Sequence, residues 1–320
     1  MDNIYFWSPS VQFKTENGEL KVECFNYGKK CAEFFPELYY IAQDGATPEQ
    51  LKEHFPENKR VFLNSLIRDF IKKKILVKSV ITPAELFYSQ KKLFHNEYPD
   101  DMRFVREKLE AFRIKQTNRR MFSGDVSYIL EKTGQGELLE NRCSVREFSD
   151  DVISYYDFSS VMGILQSKPE THKRYYPSAG GLAVIDVYVH IKAGRVEGIR
   201  EGLYYYDPVV NSIVFMNDGK GIVSDAHYFT NKEISEGSAF TVYFVYNVGA
   251  GMPKYGGMSY YYGIIESGIL IAMLTMSGEK TGIGSCSIGD MVYEKIAPCF
   301  NLNDNQILLH SMEFGYKKNR

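Results

Sequence analysis

Lys254 and Tyr255 stand side by side in "PKYGG" (253–257), after a proline and before two glycines, with a long apolar run close behind. A neutral lysine amine accepts a proton, and a neighbouring phenol relays it or orients the group that loses it. In water the amine is ammonium, with a pKa of about 10.4, so work as a base requires desolvation or nearby positive charge. The plain alternative is an exposed lysine and a packing tyrosine in a loop. A second set lies in "NRCSVREF" (141–148), where Arg142, Ser144 and Arg146 alternate. An extended segment turns such residues to one side, and two guanidiniums with a hydroxyl suit phosphate oxygens. A helix start whose arginines pair with Glu147 or Asp150 fits the same residues.

Two glycine-bearing stretches complete the set. "RYYPSAGGL" (174–182) precedes a strong strand pattern. Its Pro-Ser-Ala-Gly-Gly forms a rigid turn whose glycines let a ligand approach the backbone, although a plain turn needs no ligand. "KTGIGSCSIGD" (280–290) reads as a glycine-rich loop able to aim amides at an anion or a ring edge. It lacks the G-K-[ST] ending of a Walker A loop. It also lacks the preceding strand and following acid of the dinucleotide fingerprint.

Several elements must position these residues. The first 82 residues read as hairpin, helices and strand. Asn17-Gly18 breaks the alternation of "VQFKTENGELKVECF" as a two-residue turn does. Thr47-Pro48-Glu49-Gln50 has the form of a capped helix start. Val61, Phe62, Leu66, Ile67 and Phe70 recur at helical spacing before Ile75, Leu76 and Val77, which read as a strand. That outline is winged-helix-like. Residues 83–135 are polar and helix-prone, a connector, with a boundary at "EKTGQGELL" (131–139). From about 136 onward strands are expected at 183–191, 202–207, 212–216 and 239–248, and a helix at 259–279, in the α+β class.

Composition narrows the classes of function. The formal charge is −2 with no large basic face, so nucleic acid is not expected as a partner. The five cysteines form no C-x-x-C pair and the histidines show no ligand spacing, so no metal site or disulfide frame is expected. The start "MDNIYFWSPS" has no signal-peptide pattern. The apolar run at 263–276 carries Glu266 and is too short to span a bilayer. A cytoplasmic protein without a membrane partner is the expectation. Tyrosine and phenylalanine are abundant, 24 and 21, which suits a planar ligand as well as a half-buried core.

Taken in order, R-x-S-x-R, R-x-x-P-S-A-G-G, G-L-Y-x-Y-D-P, K-Y-G and G-I-G-S-C-x-I-G resemble one family over about 140–320. It is that of the SagB-type (McbC-like) dehydrogenases, flavin-dependent enzymes of thiazole/oxazole peptide maturation within the nitroreductase-like flavoproteins. The resemblance implies a nitroreductase-like FMN-binding fold, a mixed sheet flanked by helices, over 136–320. It also implies a peptide- or partner-recognition role for the winged-helix-like domain 1–82, joined by a helical connector, 83–135. Arg142, Ser144 and Arg146 match the segment that binds the FMN phosphate. Pro177, Ser178, Ala179 and Gly180 match the turn against the isoalloxazine, which in this fold reaches across a dimer interface. Gly284, Ser285 and Cys286 match the loop along the flavin, and Lys317 or Arg320 in the basic tail adds to the phosphate site. Lys254 and Tyr255 match the catalytic Lys-Tyr pair. The implied activity is oxidation of azoline rings to azoles in a precursor peptide, by a homodimer working with the cyclodehydratase of its pathway. Family members often carry a polar GHxxQN-like stretch on the next helix, where "GILIAM" (268–273) here is apolar. An NAD(P)H-fed nitroreductase-like enzyme and a non-catalytic peptide-binding scaffold are the alternatives.

Overall fold

The computed structural model describes residues 3–87, 105–120, 127–131, 134–140, 142–289 and 291–318. The first part of the chain folds around its own core. Strands β1 (Phe6–Trp7), β2 (Phe13–Glu16), β3 (Glu19–Val22) and β4 (Phe25–Tyr27) precede helices α1 (Lys29–Asp44), α2 (Pro48–Glu53) and α3 (Arg60–Lys72), then β5 (Leu76–Val77). The β2–β3 hairpin turns at Asn17 and Gly18, both at positive φ, 54° and 74°. That is the conformation a two-residue turn needs to match strand twist. Thr47 caps α2 through the amide of Gln50, and the Gln50 side chain returns the bond. The helical spacing of α3 buries Leu63, Leu66, Ile67 and Phe70 against Trp7, Leu20, Phe35 and Leu38.

Two short elements follow, α4 (Pro83–Phe87) and α5 (Arg106–Thr117). The larger domain comprises α6 (Tyr155–Gly163), β6 (Ile185–Ile191), β7 (Gly202–Asp207), β8 (Ser212–Asn217), α7 (Thr230–Gly237), β9 (Phe240–Asn247), α8 (Val248–Tyr255), α9 (Met258–Thr281), β10 (Ile283–Ile288), α10 (Ala297–Phe300) and β11 (Gln306–Tyr316). Its sheet runs β10-β11-β9-β6-β7-β8, with every neighbouring pair antiparallel. The expected α+β class holds; the mixing is of sheet with helices rather than of strand directions.

Helix α9 lies on one face of the sheet. Strand β9 shows why the sheet is a central layer, because seven of its eight residues are buried. Phe240, Val242, Phe244 and Tyr246 face the side that holds α6 and α9, while Tyr243 and Val245 face Ile296 and Phe300 on the other. A strand buried on both faces carries apolar residues at consecutive positions, as this one does.

The 280–290 stretch, read above as a loop, is mostly the edge strand β10, in register with β11 from Ile283↔Tyr316 to Ile288↔Ser311. Gly282 ends α9 in the left-handed conformation, and Gly284 serves packing. A Cβ on Gly284 would lie 2.6 Å from Val145 Cγ2, so glycine lets the 145–149 segment close onto the sheet.

Among the described residues the first part of the chain meets the larger domain through several contacts. The Tyr260 hydroxyl donates to the Ile81 carbonyl at 2.9 Å in a buried site, Val80 and Leu86 pack on the larger core, and Lys78 pairs with Asp304. A Tyr260→Phe change leaves the buried carbonyl unpaired, and such a group costs about 1–3 kcal/mol. A fall of that size is expected in denaturant unfolding; an unchanged midpoint would show that docking does not use this bond.

Candidate functional site

The Lys254–Tyr255 pair occupies the last turn of α8, not a loop. Pro253 lies inside that helix, and Gly256, at φ 55°, ends it and turns the chain toward α9. Tyr255 packs edge-on against Tyr262 of α9, ring centres 5.3 Å apart, and Lys254 Nζ lies 5.0 Å from the Tyr255 ring centre. The 177–181 turn presses on the same pair. Ser178 Oγ holds the turn by accepting the Ala183 amide at 3.1 Å. Gly180 adopts φ 60°, and a Cβ there would lie 2.6 Å from Lys254 Nζ. The conformation favours glycine, while the contact could be relieved by moving the ends of the Lys254 and Tyr255 side chains.

Two turns into α9 sits a residue that only entered the sequence reading as an obstacle to membrane insertion. Glu266 is 1% exposed. Its Oε2 accepts the Val184 amide at 3.4 Å, while its Oε1 has no partner among the described residues. Burial pushes its carboxyl up to about 7, opposed by the amides of Val184 and Ile185 and by Arg174. The signal in the sequence was a lone acid inside an apolar run. Ser267 beside it is buried too, so α9 does carry polar groups, just before the apolar 268–273 run.

The second cluster lies toward the other end of α9. Residues 145–149 run along the sheet: Val145 N donates to Ser285 O at 2.9 Å, Phe148 bridges to Lys317, and Ser149 N donates to Tyr316 O at 2.9 Å. Val145 and Phe148 are buried beside Cys286 and Ile288, leaving Arg142, Ser144 and Arg146 exposed. Neither arginine makes an ion pair among the described residues. The alternative partner Asp150 is instead bound by Arg195 at 2.9 Å. Gly284, Ser285 and Cys286 lie in β10, where Ser285 Oγ is 3.5 Å from Thr275 Oγ1. Burial pushes the Cys286 thiol up, the Arg146 charge opposing, so it is a packed thiol rather than a nucleophile. Lys317 is committed to Glu279 at 2.6 Å; Arg320 lies outside the described residues.

Within one chain the two clusters stay apart. The first contacts α9 at Tyr262 and the second at Thr275. At 1.5 Å per residue these positions are separated by about 20 Å. Among the described contacts none joins Lys254 or Tyr255 to Arg142, Arg146 or residues 284–286.

A third polar set is buried against the sheet's other face. Glu313 accepts from Ser238 at 2.6 Å and Thr241 at 2.7 Å, and His227 Nε2 lies 3.7 Å away. Burial pushes His227 down to about 4 and Glu313 upward. No sequence pattern marked it.

The domain is thus an antiparallel six-stranded sheet carrying a long helix, with exposed arginines at the sheet edge and a Lys-Tyr pair ahead of the helix. The model of the nitroreductase family matches residues 139–316, and the chain belongs to that family. No curated protein matches it in sequence. Among solved structures it is similar to a chain of the Escherichia coli microcin synthetase McbBCD complex with truncated pro-MccB17 bound. The TM-score is 0.56 and the identity 17%, over 80% of this chain and 93% of that one. It is also similar to a protein assigned as a nitroreductase from Ralstonia eutropha (TM-score 0.48, 20% identity, 62% and 89% covered). A nitroreductase family protein from Clostridium novyi NT follows (0.40, 15%, 57% and 84%). At these identities the likeness is one of fold.

Two outcomes follow from the first cluster. Gly180→Ala should displace Lys254 and strain the turn, lowering stability by about 1 kcal/mol or more, readable as a lower Tm. The folded Glu266 carboxyl keeps its proton up to about pH 7, whereas the unfolded one releases it near 4.5. Its contribution is therefore full below pH 4.5 and lost as pH rises through 7, by about 3 kcal/mol at most. Glu266→Gln should flatten denaturant midpoints over that window; a parallel pH dependence would contradict this.

Proposed function

We propose that the protein is an FMN-dependent dehydrogenase that oxidises azoline rings to azoles in a ribosomally made precursor peptide. The observation that carries the reading is the seating of Gly180 against Lys254 and Tyr255, which joins two separately read segments into one proton-handling site. The nitroreductase family membership supports a redox enzyme. The fold likeness to the McbBCD chain supports the peptide reading, because it extends over 80% of this chain, well beyond the family domain.

The residues present fit the cofactor. Arg142 and Arg146 offer two guanidiniums without an ion pair among the described residues, Arg146 touching only the Ser144 carbonyl at 3.4 Å, and Ser144 a hydroxyl on one exposed edge, a donor set for a phosphate monoester. Lys317, neutralised by Glu279, contributes less than its position in the basic tail implies. When bound, the flavin supplies the hydride acceptor. The chain supplies the rest. An azoline becomes an azole by losing a hydride from one ring carbon and a proton from its neighbour. Lys254 Nζ in its neutral form takes that proton, and Tyr255, braced by Tyr262, orients the ring or relays the proton.

The 20 Å separation of the clusters is resolved by a homodimer, in which the turn of one protomer faces the arginine edge of the other. Helix α9 supports this with a stripe of exposed apolar residues: Met258, Tyr261, Ile265 and Met276 are 53, 55, 45 and 39% exposed. Such a stripe marks an interaction face. The same helix is long and apolar enough to cross a membrane by length and composition, yet it packs on the sheet and buries Glu266. The domain scheme 1–82, 83–135 and 136–320 belongs to this proposal. The first domain receives the precursor peptide or the cyclodehydratase, a strand-like peptide adding to a sheet edge.

Purified protein should be yellow and release FMN on denaturation, and Arg142→Ala with Arg146→Ala should lower its flavin content. Lys254→Ala and Tyr255→Phe should each slow azoline oxidation by about 10²-fold or more while leaving flavin bound. Unchanged turnover in both variants would remove the pair from the reaction. Rapid bleaching of the flavin by NAD(P)H, without azoline oxidation, would favour the nitroreductase-like alternative.

A further inference from the structure

Where the first domain hands over to the larger one, a cavity of about 270 Å³ opens between residues 82–85 and neighbouring ends of β10 and β11. Pro83, Ile288 and Val292 are among its apolar walls, and Thr82, Glu85 and His310 among its polar ones. Sites that hold a whole drug-sized ligand run to about 300–1,000 Å³, so this one suits a single side chain with a short length of backbone. Its place relative to the proposed flavin site follows from the strand. Ile288 closes β10, and at about 3.3 Å per residue it lies about 7 Å beyond Cys286 and about 10 Å beyond Ser285. An extended peptide spans the same distance in about two or three residues. The opposite wall follows β5, the last strand of the first domain. The cavity thus stands between the domain proposed to receive the peptide and the strand proposed to run along the flavin.

We propose that this cavity is a side-chain subsite for the precursor peptide, taking an apolar residue two or three positions from the azoline and rejecting an acidic one. The subsite rests on the azoline reading and adds to it a preference for the residues around the ring. In the homodimer proposed above, the ring lies along β10 of one protomer and meets the partner's Lys254, while the flanking residue runs on into the cavity. The proton-handling pair and the subsite then hold different parts of one peptide.

Charge sets the preference. Lys74 pairs with Glu85 at 2.7 Å and lies 3.9 Å from Glu294, so two carboxylates that line the cavity share one ammonium. His310 does not offset them, because burial holds its imidazole below the usual range and leaves it neutral at neutral pH. Its Nε2 and Ser287 Oγ share a hydrogen bond of 2.9 Å, which ties this wall to β10. A carboxylate entering here meets repulsion as well as desolvation, whereas an apolar side chain gains by leaving water. Tyr228 also lines the cavity, and Phe229 beside it stands 93% exposed at φ 44°. A bulky residue at positive φ is uncommon, and the two consecutive aromatics offer apolar surface to the peptide around its buried side chain.

The test uses the purified full chain and fluorescein-labelled, capped alanine peptides that carry one thiazole, the oxidised ring, so that anisotropy reads binding without turnover. Leucine, lysine or aspartate replaces the alanine two or three residues from the ring, on either side. At one of these positions leucine should bind about tenfold more tightly than aspartate, the scale of one side chain in a fitted pocket. Two variants at exposed lining residues probe the cavity itself. Ala84→Trp, which puts a large ring on its wall, should erase the difference. Glu294→Lys should strengthen binding of the aspartate peptide and weaken that of the lysine peptide. Equal affinity for leucine and aspartate at every position overturns the proposal, as does a preference that neither variant alters; should Ala84→Trp not fold, the charge reversal decides. A colourless protein that oxidises no azoline defeats the preceding reading, while the leucine–aspartate difference still judges the subsite.

Discussion

Two glycines set how closely α9 approaches the sheet, and the candidate site depends on that distance. A Cβ on Gly263 would lie 2.7 Å from the Tyr246 ring, and one on Gly278 would lie 2.7 Å from the Ile283 carbonyl. With both absent, the helix settles onto β9 at one end and onto the start of β10 at the other. Leu270 and Leu274 fill the interval, fully buried. The first contact brings Tyr262 and Glu266 beneath the 177–181 turn. The second brings β10 back along the helix, so that Gly284 meets Val145 and the arginine segment is laid on the sheet edge. A larger residue at either glycine would lift the helix and disturb both clusters together, because the core transmits such shifts rather than absorbing them.

The same helix accounts for the division of the site. A straight rod that carries one cluster near each end cannot bring them together, whatever the side chains do. Its outward stripe of Met258, Tyr261, Ile265 and Met276 remains uncovered in the single chain. Glu266 is buried on this helix within the single chain, where the 177–181 turn covers it.

Much of the small domain was legible in the sequence because its signals are local. Asn17-Gly18, the Thr47 capping box and the spacing of Leu66, Ile67 and Phe70 each act over a few residues, whereas Val61 of the same reading is exposed and Leu63 takes the core position instead. Strands β6, β7 and β9 were legible from apolar runs of strand length. The alternation of the arginine segment fitted an extended stretch or a helix start, and the segment lies outside any helix. The misreadings have physical reasons as well. Lys254 and Tyr255 looked like a loop because of Pro253 and the two glycines, yet a proline near a helix end leaves one turn intact and the glycines lie just beyond it. Residues 280–290 looked like a ligand loop because glycine is ambiguous. In β10 it makes room for Val145, a neighbour more than a hundred residues away in the chain.

By itself the sequence determined the elements and the chemical types on offer: a basic alternating segment, a glycine turn, a Lys-Tyr pair and a lone acid in an apolar run. These depend on backbone conformation and side-chain chemistry over short spans, which are set locally. Tertiary structure alone decided who meets whom. It put Gly180 against Lys254, gave Asp150 to Arg195 and Lys317 to Glu279, and buried Glu266 against the Val184 amide. Each outcome arises from packing between segments far apart in the chain, where the distance of closest approach is set by the core and no local pattern records it.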